Sequence, residues 1–242
     1  MNIVKQCRYG NMIINRRDRW VGDSLDIYGE FSESEVEVFR KYIKPGDLVL
    51  DVGANIGAHT VALSHLVGDS GIVVAFEPER YNYYTLCGNL AMNNIKNVVA
   101  FQQAVGEKAG TINVPYIDNP HNSNYGALEL DQDYSTIPHY KVPCITLDSL
   151  HLEKCNFIKM DVEGMEKFAL MGCVETIKKF HPIMYLEDDR ENKSKELREF
   201  IGTLGYRIEE HNALLFNSKN YSNVTTNVFG GIVSKNIICL FT

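Results

Sequence analysis

The sequence has no segment of the kind that spans a membrane or directs export, and it is short of basic residues. No apolar run reaches the length of a bilayer-spanning helix, and the N-terminus carries no run of signal-peptide length. The 24 Lys and Arg residues are outnumbered by 31 Asp and Glu, which gives a formal charge of −7. Such a chain is a poor non-specific nucleic-acid binder, because that binding depends on neutralising phosphates. We expect a soluble, cytoplasmic protein without a membrane span or a nucleic-acid partner.

Metal-binding and disulfide patterns are also missing. The six cysteines include no CxxC pair, and no two histidines stand at ligand spacing. Scattered cysteines of this kind are typical of reduced, buried thiols in an intracellular protein. We therefore expect no structural zinc site, and the sequence leaves the oligomeric state open.

The apolar pattern predicts an α/β fold. A chain of 242 residues is long enough for one domain with a sizeable core. Short β-branched runs alternate with amphipathic segments from residue 48 onward, an order that favours a parallel sheet covered by helices. We predict a doubly wound, mostly parallel sheet with an antiparallel edge strand. Residues 1–31 are predicted to form an N-terminal arm or hairpin, with apolar patches at Met12–Ile14 and Leu25–Ile27, and residues 32–242 the main domain.

Some predicted elements depend on weaker signals. Ser32 and Glu35 stand in a capping-box relation, which predicts a helix from Ser32 to Lys44. A single helix is predicted from about Met165 to Phe180. The remaining predictions are a strand at Thr111–Pro115 beside the third strand of the sheet, and an antiparallel pair at its edge from Leu214–Phe216 and Asn236–Phe241.

The segment Leu48 to Thr60, read LVLDVGANIGAHT, passes from a buried strand through a tight turn into a helix. Gly53 and Gly57 lack side chains, so the backbone can approach a ligand closely beside the free N–H groups of the helix. The dinucleotide fingerprint GxGxxG is absent, because Asn55 stands two positions after Gly53. The spacing of Asp51, Gly53, Asn55 and Gly57 instead matches a loop that binds S-adenosylmethionine.

Four predicted strands end at an acid or beside one: Asp51, Glu77, Asp161 and Glu187. The carboxyl ends of parallel strands share one edge of a sheet, so these acids should converge on one crevice. The alternative is that each acid only caps the helix that follows it. Glu77, twenty positions after Gly57, is placed to bind both hydroxyls of a ribose, which favours an adenosine-containing cofactor.

Together these motifs resemble the FkbM family of class I S-adenosylmethionine-dependent methyltransferases. The resemblance runs from about Asp18 to Glu187. The matching segments are Tyr28-Gly-Glu-Phe-Ser-Glu, Lys44-Pro-Gly-Asp, VLDVGANIGAHT, AFEP at 75–78, ITLDSL at 145–150 and IKMDVEGMEKFALMG at 158–172. It implies a Rossmann-like, seven-stranded methyltransferase sheet with S-adenosylmethionine as cofactor.

The resemblance also implies roles for individual residues. Gly53 and Asn55 would line the methionine end of the cofactor, Glu77 would hold the ribose, and Gln103-Ala104 would lie beside the adenine. Asp161 and Glu163 match the family's DVEG segment and would lie near the methyl acceptor. The cofactor-binding candidates are Asp51, Gly53, Asn55, Gly57, Glu77, Pro78, Gln103, Ala104 and Asp161.

The chemistry of methyl transfer limits what the catalytic residues can do. Displacement at a sulfonium methyl depends mainly on orienting the acceptor and excluding water. A hydroxyl acceptor must also lose a proton, to a base or with the help of a metal. Asp161, Glu163 and Glu187 are the candidates for catalysis and for a Mg²⁺ site, against the simpler alternative of positioning or helix capping.

The stretch from Tyr116 to Tyr140 has no sustained periodicity and is rich in Asn, Asp and Pro. Long irregular segments in compact domains are functional or disordered. We predict a lid over the crevice, with Asn122, Ser123, Asn124 and Tyr125 as ligand-binding groups, and the alternative is a surface excursion. His121 and His139 bracket this loop and are weaker candidates for a base.

The family resemblance implies O-methylation of a hydroxyl on a sugar, a glycan or a small natural-product scaffold. Two other classes stay open: a nicotinamide-dependent oxidoreductase and a binding module that holds the cofactor without turnover. A nucleic-acid amino-methyltransferase is disfavoured, because Asp161 is followed by Val-Glu-Gly in place of the Pro-Pro-aromatic turn that holds a flipped base. The expected partner is therefore a small-molecule or glycan acceptor.

Overall fold

A computed structural model describes residues 2–116 and 134–242. Its strands are β1 (Asn2–Cys7), β2 (Gly10–Asn15), β3 (Leu48–Val52), β4 (Ile72–Phe76), β5 (Val98–Phe101), β6 (Ala104–Val105), β7 (Gly110–Pro115), β8 (His139–Ile145), β9 (Phe157–Met160), β10 (Ile183–Glu187), β11 (Tyr206–Leu214) and β12 (Val233–Phe241). Its helices are α1 (Val21–Tyr28), α2 (Glu33–Tyr42), α3 (Ala58–Val67), α4 (Arg80–Met92), α5 (Glu166–Met171), α6 (Val174–Phe180) and α7 (Glu191–Thr203), with a 3₁₀ turn at Leu147–Leu150.

The central sheet has seven strands in the order β11-β12-β10-β9-β3-β4-β5. The pairs from β10 through β5 are parallel, and β12 runs antiparallel to both β10 and β11. This arrangement confirms the predicted mostly parallel α/β sheet with an antiparallel edge. The carboxyl ends of β3, β4, β9 and β10 therefore lie along one edge, where the strand-terminal acids were expected to meet.

Helices cover both faces of the sheet, which is why its central strands are continuously apolar. Every residue of β3 and of β9 is buried. On one face Leu50 and Met160 pack with residues of α5, α6 and α7, and on the other Val49 and Phe157 pack with residues of α2 and α3. A polar side chain in these strands consequently needs a partner within the core.

Three predicted elements differ from the structure. The single helix over 165–180 is two helices, because the chain breaks at Gly172, where a Cβ atom would lie 2.1 Å from the Gly106 carbonyl oxygen. The strand at 110–115 belongs to a separate three-stranded sheet, ordered β6-β8-β7. At the edge, β12 pairs with Tyr206–Leu214, and Leu215 and Phe216 lie outside the strand.

The N-terminal segment is a hairpin followed by a helix. Strands β1 and β2 pair antiparallel, and Asn89 and Asn93 of α4 accept hydrogen bonds from the backbone N–H groups of Ile13 (2.6 Å) and Asn11 (2.8 Å). The apolar patch at 25–27, expected in the hairpin or arm, is part of the helix α1.

The start of α2 also differs from the predicted capping box. The Ser32 hydroxyl donates to the Glu35 carboxylate (2.7 Å) and makes no hydrogen bond to a backbone N–H. Within residues 2–116 and 134–242, no helix has the length and apolar character needed to cross a bilayer.

Candidate active site

The turn after β3 brings the backbone of two loops into direct contact. Gly53 has a φ of +81°, and a Cβ atom there would lie 1.8 Å from the carbonyl oxygen of Asp161, which follows β9. Only glycine can occupy this position without moving one of the loops. Asn55 (φ +50°) and Gly57 (φ +87°) also adopt positive φ values, and Gly57 is the N-cap of α3. The glycine spacing read from the sequence is therefore required by the backbone itself.

A buried lysine lies beneath this turn. Lys159, in β9, has a side chain that is 4% exposed and donates a hydrogen bond to the Gly53 carbonyl oxygen (2.9 Å). Its Nζ is 3.5 Å from Asp51 Oδ1 and 3.6 Å from Asp161 Oδ2. Burial favours the neutral amine, but Asp51, Asp161 and Glu35 outweigh it and raise the pKa of Lys159 above its ordinary value. Lys159 thus carries a buried positive charge that joins both loops.

Asp51 and Glu77 support the turn from below. Asp51 is fully buried and accepts a hydrogen bond from the Thr60 hydroxyl (2.6 Å). Glu77 accepts from the backbone N–H groups of Asn55 (2.7 Å) and Glu79 (2.8 Å). Burial raises the pKa of Glu77 to about 8, against the opposing effect of these two N–H groups. Both acids fix the shape of the turn.

Two cavities open at this edge of the sheet, and Gly53 lines both of them. The larger has a volume of about 320 Å³ and the smaller about 60 Å³. Of the residues predicted from the sequence, the larger is lined by Gly53, Asn55, Asp161, Glu163 and Glu187, and the smaller by Pro78, Gln103 and Ala104. Asp51, Gly57 and Glu77 lie outside the lining of these two cavities.

Acidic groups crowd one side of the larger cavity. Arg190 forms ion pairs with Glu163 and, at 2.5 Å, with Asp189. Glu187 Oε2 is buried and has no hydrogen-bond partner in the part of the chain that the structure describes. Burial, with the nearby charges of Asp161, Glu163 and Asp189, raises the pKa of Glu187 well above its ordinary value. Burial and Asp161 likewise raise the pKa of Glu163 to about 7, although Arg190 opposes this.

These acids do not assemble into a metal site in the described residues. Asp161, Glu163 and Glu187 line the same cavity, but no three His, Cys, Asp or Glu side chains of residues 2–116 and 134–242 are grouped as ligands for a metal ion. The carboxylate of Glu163 is instead paired with Arg190. The predicted Mg²⁺ site therefore has no support in the geometry of these side chains.

Two further residues of the cavity wall were missed by the sequence reasoning. Glu35, on α2, is buried, and its burial raises the pKa to about 7. His59, on α3, packs against the rings of Phe31 and Phe39, with ring centroids 5.2 Å and 5.3 Å away. Both belong to segments that read as ordinary helix starts, so no signal in the sequence marked them as cavity residues.

We expect His59 to make the protein less stable in acid. Burial, with the charge of Lys159, lowers the pKa of His59 from 6.5 to about 3 in the folded state. The unfolded chain therefore binds more protons between these values, and stability is lost as pH falls from about 6.5 towards 3. The melting temperature of His59→Phe should fall less over this range than that of the wild type. Substitution of the exposed His65 on the same helix should leave the slope unchanged, and equal slopes for His59→Phe and the wild type would contradict the assignment.

An apolar part of the lining of the larger cavity comes from segments near the two ends of the chain. Trp20, Val21 and Phe31 belong to the N-terminal segment, Leu215 and Ile232 to the loop between β11 and β12, and Val233 to the start of β12. Glu30 joins the two segments, because it accepts hydrogen bonds from Arg8 (2.7 Å), the Asn217 side chain (2.9 Å) and the Tyr221 N–H (2.8 Å). The same cavity is therefore lined by both apolar and acidic side chains.

Most of the predicted lid lies outside the described residues. This applies to Asn122, Ser123, Asn124, Tyr125 and His121. His139 lies at the start of β8, where its Nδ1 is 2.9 Å from the Ile137 carbonyl oxygen, and it does not line the larger cavity.

Comparison with known domain families decides the assignment of this site. Residues 51–208 match the family described as the methyltransferase FkbM domain, which is more than half of the chain. The chain belongs to the FkbM methyltransferase family. This confirms the resemblance to class I S-adenosylmethionine-dependent methyltransferases drawn from the sequence motifs, and it counts against the nicotinamide-dependent alternative.

Solved structures share the fold of this FkbM-family methyltransferase at low sequence identity. The methyltransferase FkbM from Methylobacillus flagellatus is 18% identical, with a TM-score of 0.56 over 85% of this chain and 50% of its own. An S-adenosylmethionine-dependent O-methyltransferase from Thermotoga maritima is 14% identical, with a TM-score of 0.53 over 99% and 77%. A precorrin-6y methyltransferase from Geobacter metallireducens is 14% identical, with a TM-score of 0.51 over 87% of this chain and 87% of its own. The chain thus spans half the length of its Methylobacillus relative, and no curated protein matches it.

Proposed function

We propose that this FkbM-family methyltransferase methylates a hydroxyl oxygen on a sugar, a glycan or a small natural-product scaffold. The observation that carries the proposal is the pairing, within one cavity, of an apolar wall with Glu187, whose Oε2 is buried and without a partner. Trp20 and Phe31 line this cavity with aromatic rings, and the carboxyl groups of the same lining can orient and deprotonate a hydroxyl. We also propose, from the sequence, that the enzyme acts in the cytoplasm.

The two joined cavities fit S-adenosylmethionine, which supplies an electrophilic methyl group on its sulfonium. Gly53 lines both cavities, and its missing side chain lets the turn after β3 pack directly against the Asp161 backbone between them. We assign Gly53, Asn55 and Asp161 to the methionine end, and Pro78, Gln103 and Ala104 to the adenine end. Glu77 would bind the ribose with the lone pairs that its two backbone N–H donors leave free. Asp51 and Gly57 would act through the shape of the turn.

The three acidic candidates make different contacts, which suggest different roles for them. Asp161 faces Lys159, and Glu163 is paired with Arg190, so both are suited to orient the acceptor. Glu187 Oε2 has no partner in the described residues, and burial with the nearby acids raises the pKa of Glu187, which makes its carboxylate a stronger base. In our proposal the acceptor hydroxyl gives its proton to Glu187, and the apolar wall excludes water.

Glu187→Gln is expected to lower turnover by about 10² to 10⁴ while leaving cofactor affinity within about twofold, because the amide keeps the shape and cannot take a proton. Turnover is measured as labelled methyl transfer onto a panel of monosaccharides, glycans and small alcohols, and affinity by calorimetry with S-adenosylhomocysteine. Asp148→Asn serves as the control, since Asp148 is not part of the cavity lining and accepts hydrogen bonds from two backbone N–H groups at the start of α6. Full activity in Glu187→Gln would rule Glu187 out as the base, and no transfer to any hydroxyl compound would count against O-methylation.

A further inference from the structure

The wall of the larger cavity carries more negative than positive groups. Its described lining contains five carboxyl side chains and two cationic ones. These are Glu35, Asp161, Glu163, Glu187 and Asp189, against Lys159 and Arg190. The formal balance is 2 − 5, or −3, when all of them are ionised. A bound acceptor therefore meets an excess of carboxyl groups.

Both cations of this wall are already engaged with protein acids. Lys159 donates to the Gly53 carbonyl oxygen and faces Asp51 and Asp161. Arg190 is paired with Glu163 and Asp189. An anionic group on an acceptor would have to compete with these carboxylates for the same donors, which makes its burial here costly.

Two carboxylate oxygens on the wall are buried without a hydrogen-bond partner in the described residues. They are Glu187 Oε2 and Asp189 Oδ1. Glu187 is the last residue of β10, Asp189 follows it by two positions, and both line the cavity. A buried acceptor oxygen without a donor is destabilising, so a ligand that brings a strong donor to this point is favoured.

The cofactor neutralises the wall only in part, because its own carboxylate offsets one of its positive groups.

We infer that the methyl acceptor is a hydroxyl compound that bears a protonated amino group and carries no phosphate or carboxylate, the ammonium group being held by Glu187 and Asp189. This inference rests on the proposed O-methylation, since it names the acceptor class for the same site. An ammonium group has three N–H donors and a positive charge, which matches two unpartnered carboxylate oxygens. The amino group then anchors the acceptor through one oxygen of Glu187, and the second oxygen of that carboxylate takes the proton of the hydroxyl that receives the methyl group.

The test compares ligands that differ only in charge. Binding of glucosamine, glucose and glucose 6-phosphate is measured by saturation-transfer NMR on protein saturated with S-adenosylhomocysteine. The same is done with trans-2-aminocyclohexanol, cyclohexanol and cyclohexyl phosphate. We expect the amine of a series to bind at least about tenfold more tightly than its neutral analogue, as hydrogen bonds to charged groups allow, and the phosphate not to bind.

Two variants test whether Glu187 and Asp189 cause the preference for the amine. Glu187→Gln and Asp189→Asn should each reduce the preference for the amine about threefold or more, because each removes one charged acceptor. Glu153→Gln is the matched control, since Glu153 is exposed before β9, at the opposite edge of the sheet. An amine preference that survives in both site variants overturns the assignment of its anchor.

The two series separate this inference from the proposed function. Neutral or phosphorylated members that bind as tightly as the amines overturn the charge inference and leave O-methylation standing. Amine preference in the cyclohexyl series, with no binding of any sugar, supports the charge inference and counts against a monosaccharide acceptor. If the amine, the neutral compound and the phosphate bind with equal affinity in both series, the inference is wrong.

Discussion

Lys159→Met is expected to weaken S-adenosylhomocysteine binding at least tenfold and to destabilise the protein by about 3 to 5 kcal/mol, as removal of one partner from a buried ion pair does. The methionine keeps most of the side-chain volume but removes the charge that faces Asp51 and Asp161, and the hydrogen bond to the Gly53 carbonyl oxygen. Affinity is measured by calorimetry and stability by thermal unfolding. Lys108→Met is the control, because the Lys108 side chain is 82% exposed.

A double variant distinguishes the two roles of this lysine. Asp51→Asn combined with Lys159→Met removes a buried carboxylate together with its counter-ion, so part of the lost stability should return. The hydrogen bond to Gly53 stays broken, so cofactor affinity should stay low. If affinity also recovers, Lys159 acts only as a counter-ion and does not position the turn. Unchanged affinity in the single Lys159→Met variant would contradict its proposed part in the site altogether.

Gly53→Ala should abolish measurable cofactor binding. A methyl group at this position would lie 1.8 Å from the Asp161 carbonyl oxygen, and the backbone is held at a φ of +81°, which disfavours any side chain. Relief requires the turn after β3 to separate from the loop after β9, which would open the junction of the two cavities. We expect a stability loss of more than about 2 kcal/mol in addition.

Gly202→Ala is the matched control for this substitution. Gly202 lies within α7, and a Cβ atom there has no neighbour within 4 Å. Alanine should stabilise this helix by about 0.5 to 1 kcal/mol and leave cofactor binding unchanged. Calorimetry with S-adenosylhomocysteine and thermal unfolding report both quantities. Normal cofactor affinity in Gly53→Ala would show that the turn does not contact the cofactor.

The sequence predicted the sheet and its edge because both depend on local patterns. Strands buried on both faces are apolar throughout, as in β3 and β9, and this pattern is visible without tertiary information. The acids at 51, 77, 161 and 187 follow from the same pattern, since parallel strands end together. The sequence could therefore place a side chain in the fold when that side chain lies at the end of a predicted strand.

The remaining differences come from contacts between distant segments. The break between α5 and α6 depends on the approach of Gly172 to Gly106, and no local signal shows that approach. The pairing of β12 with residues 206–214 and the small sheet of β6, β7 and β8 likewise depend on distant partners. The cavity roles of Glu35 and Trp20 were missed for the same reason.

Lys159 is the exception, because a signal for it was present. It stands between Ile158 and Met160 in a strand that is otherwise apolar and buried. A lysine at such a position needs a buried acid as partner, and Asp51 was already predicted in the adjacent strand. The strand-terminal acids resemble ligand groups in the sequence, whereas Asp51 and Asp161 are partners of this buried cation.

In the proposed function, the apolar part of the cavity lining would shape the choice of acceptor from outside the matched domain. Trp20, Phe31, Leu215 and Val233 all lie outside residues 51–208, the part that matches the family, whereas the glycine turn and Lys159 lie within it. Mutations in the terminal segments could therefore accumulate during evolution and change the acceptor while the donor machinery stays intact. Exchanging these segments between relatives is accordingly a practical route to engineered methyltransferases with new acceptors.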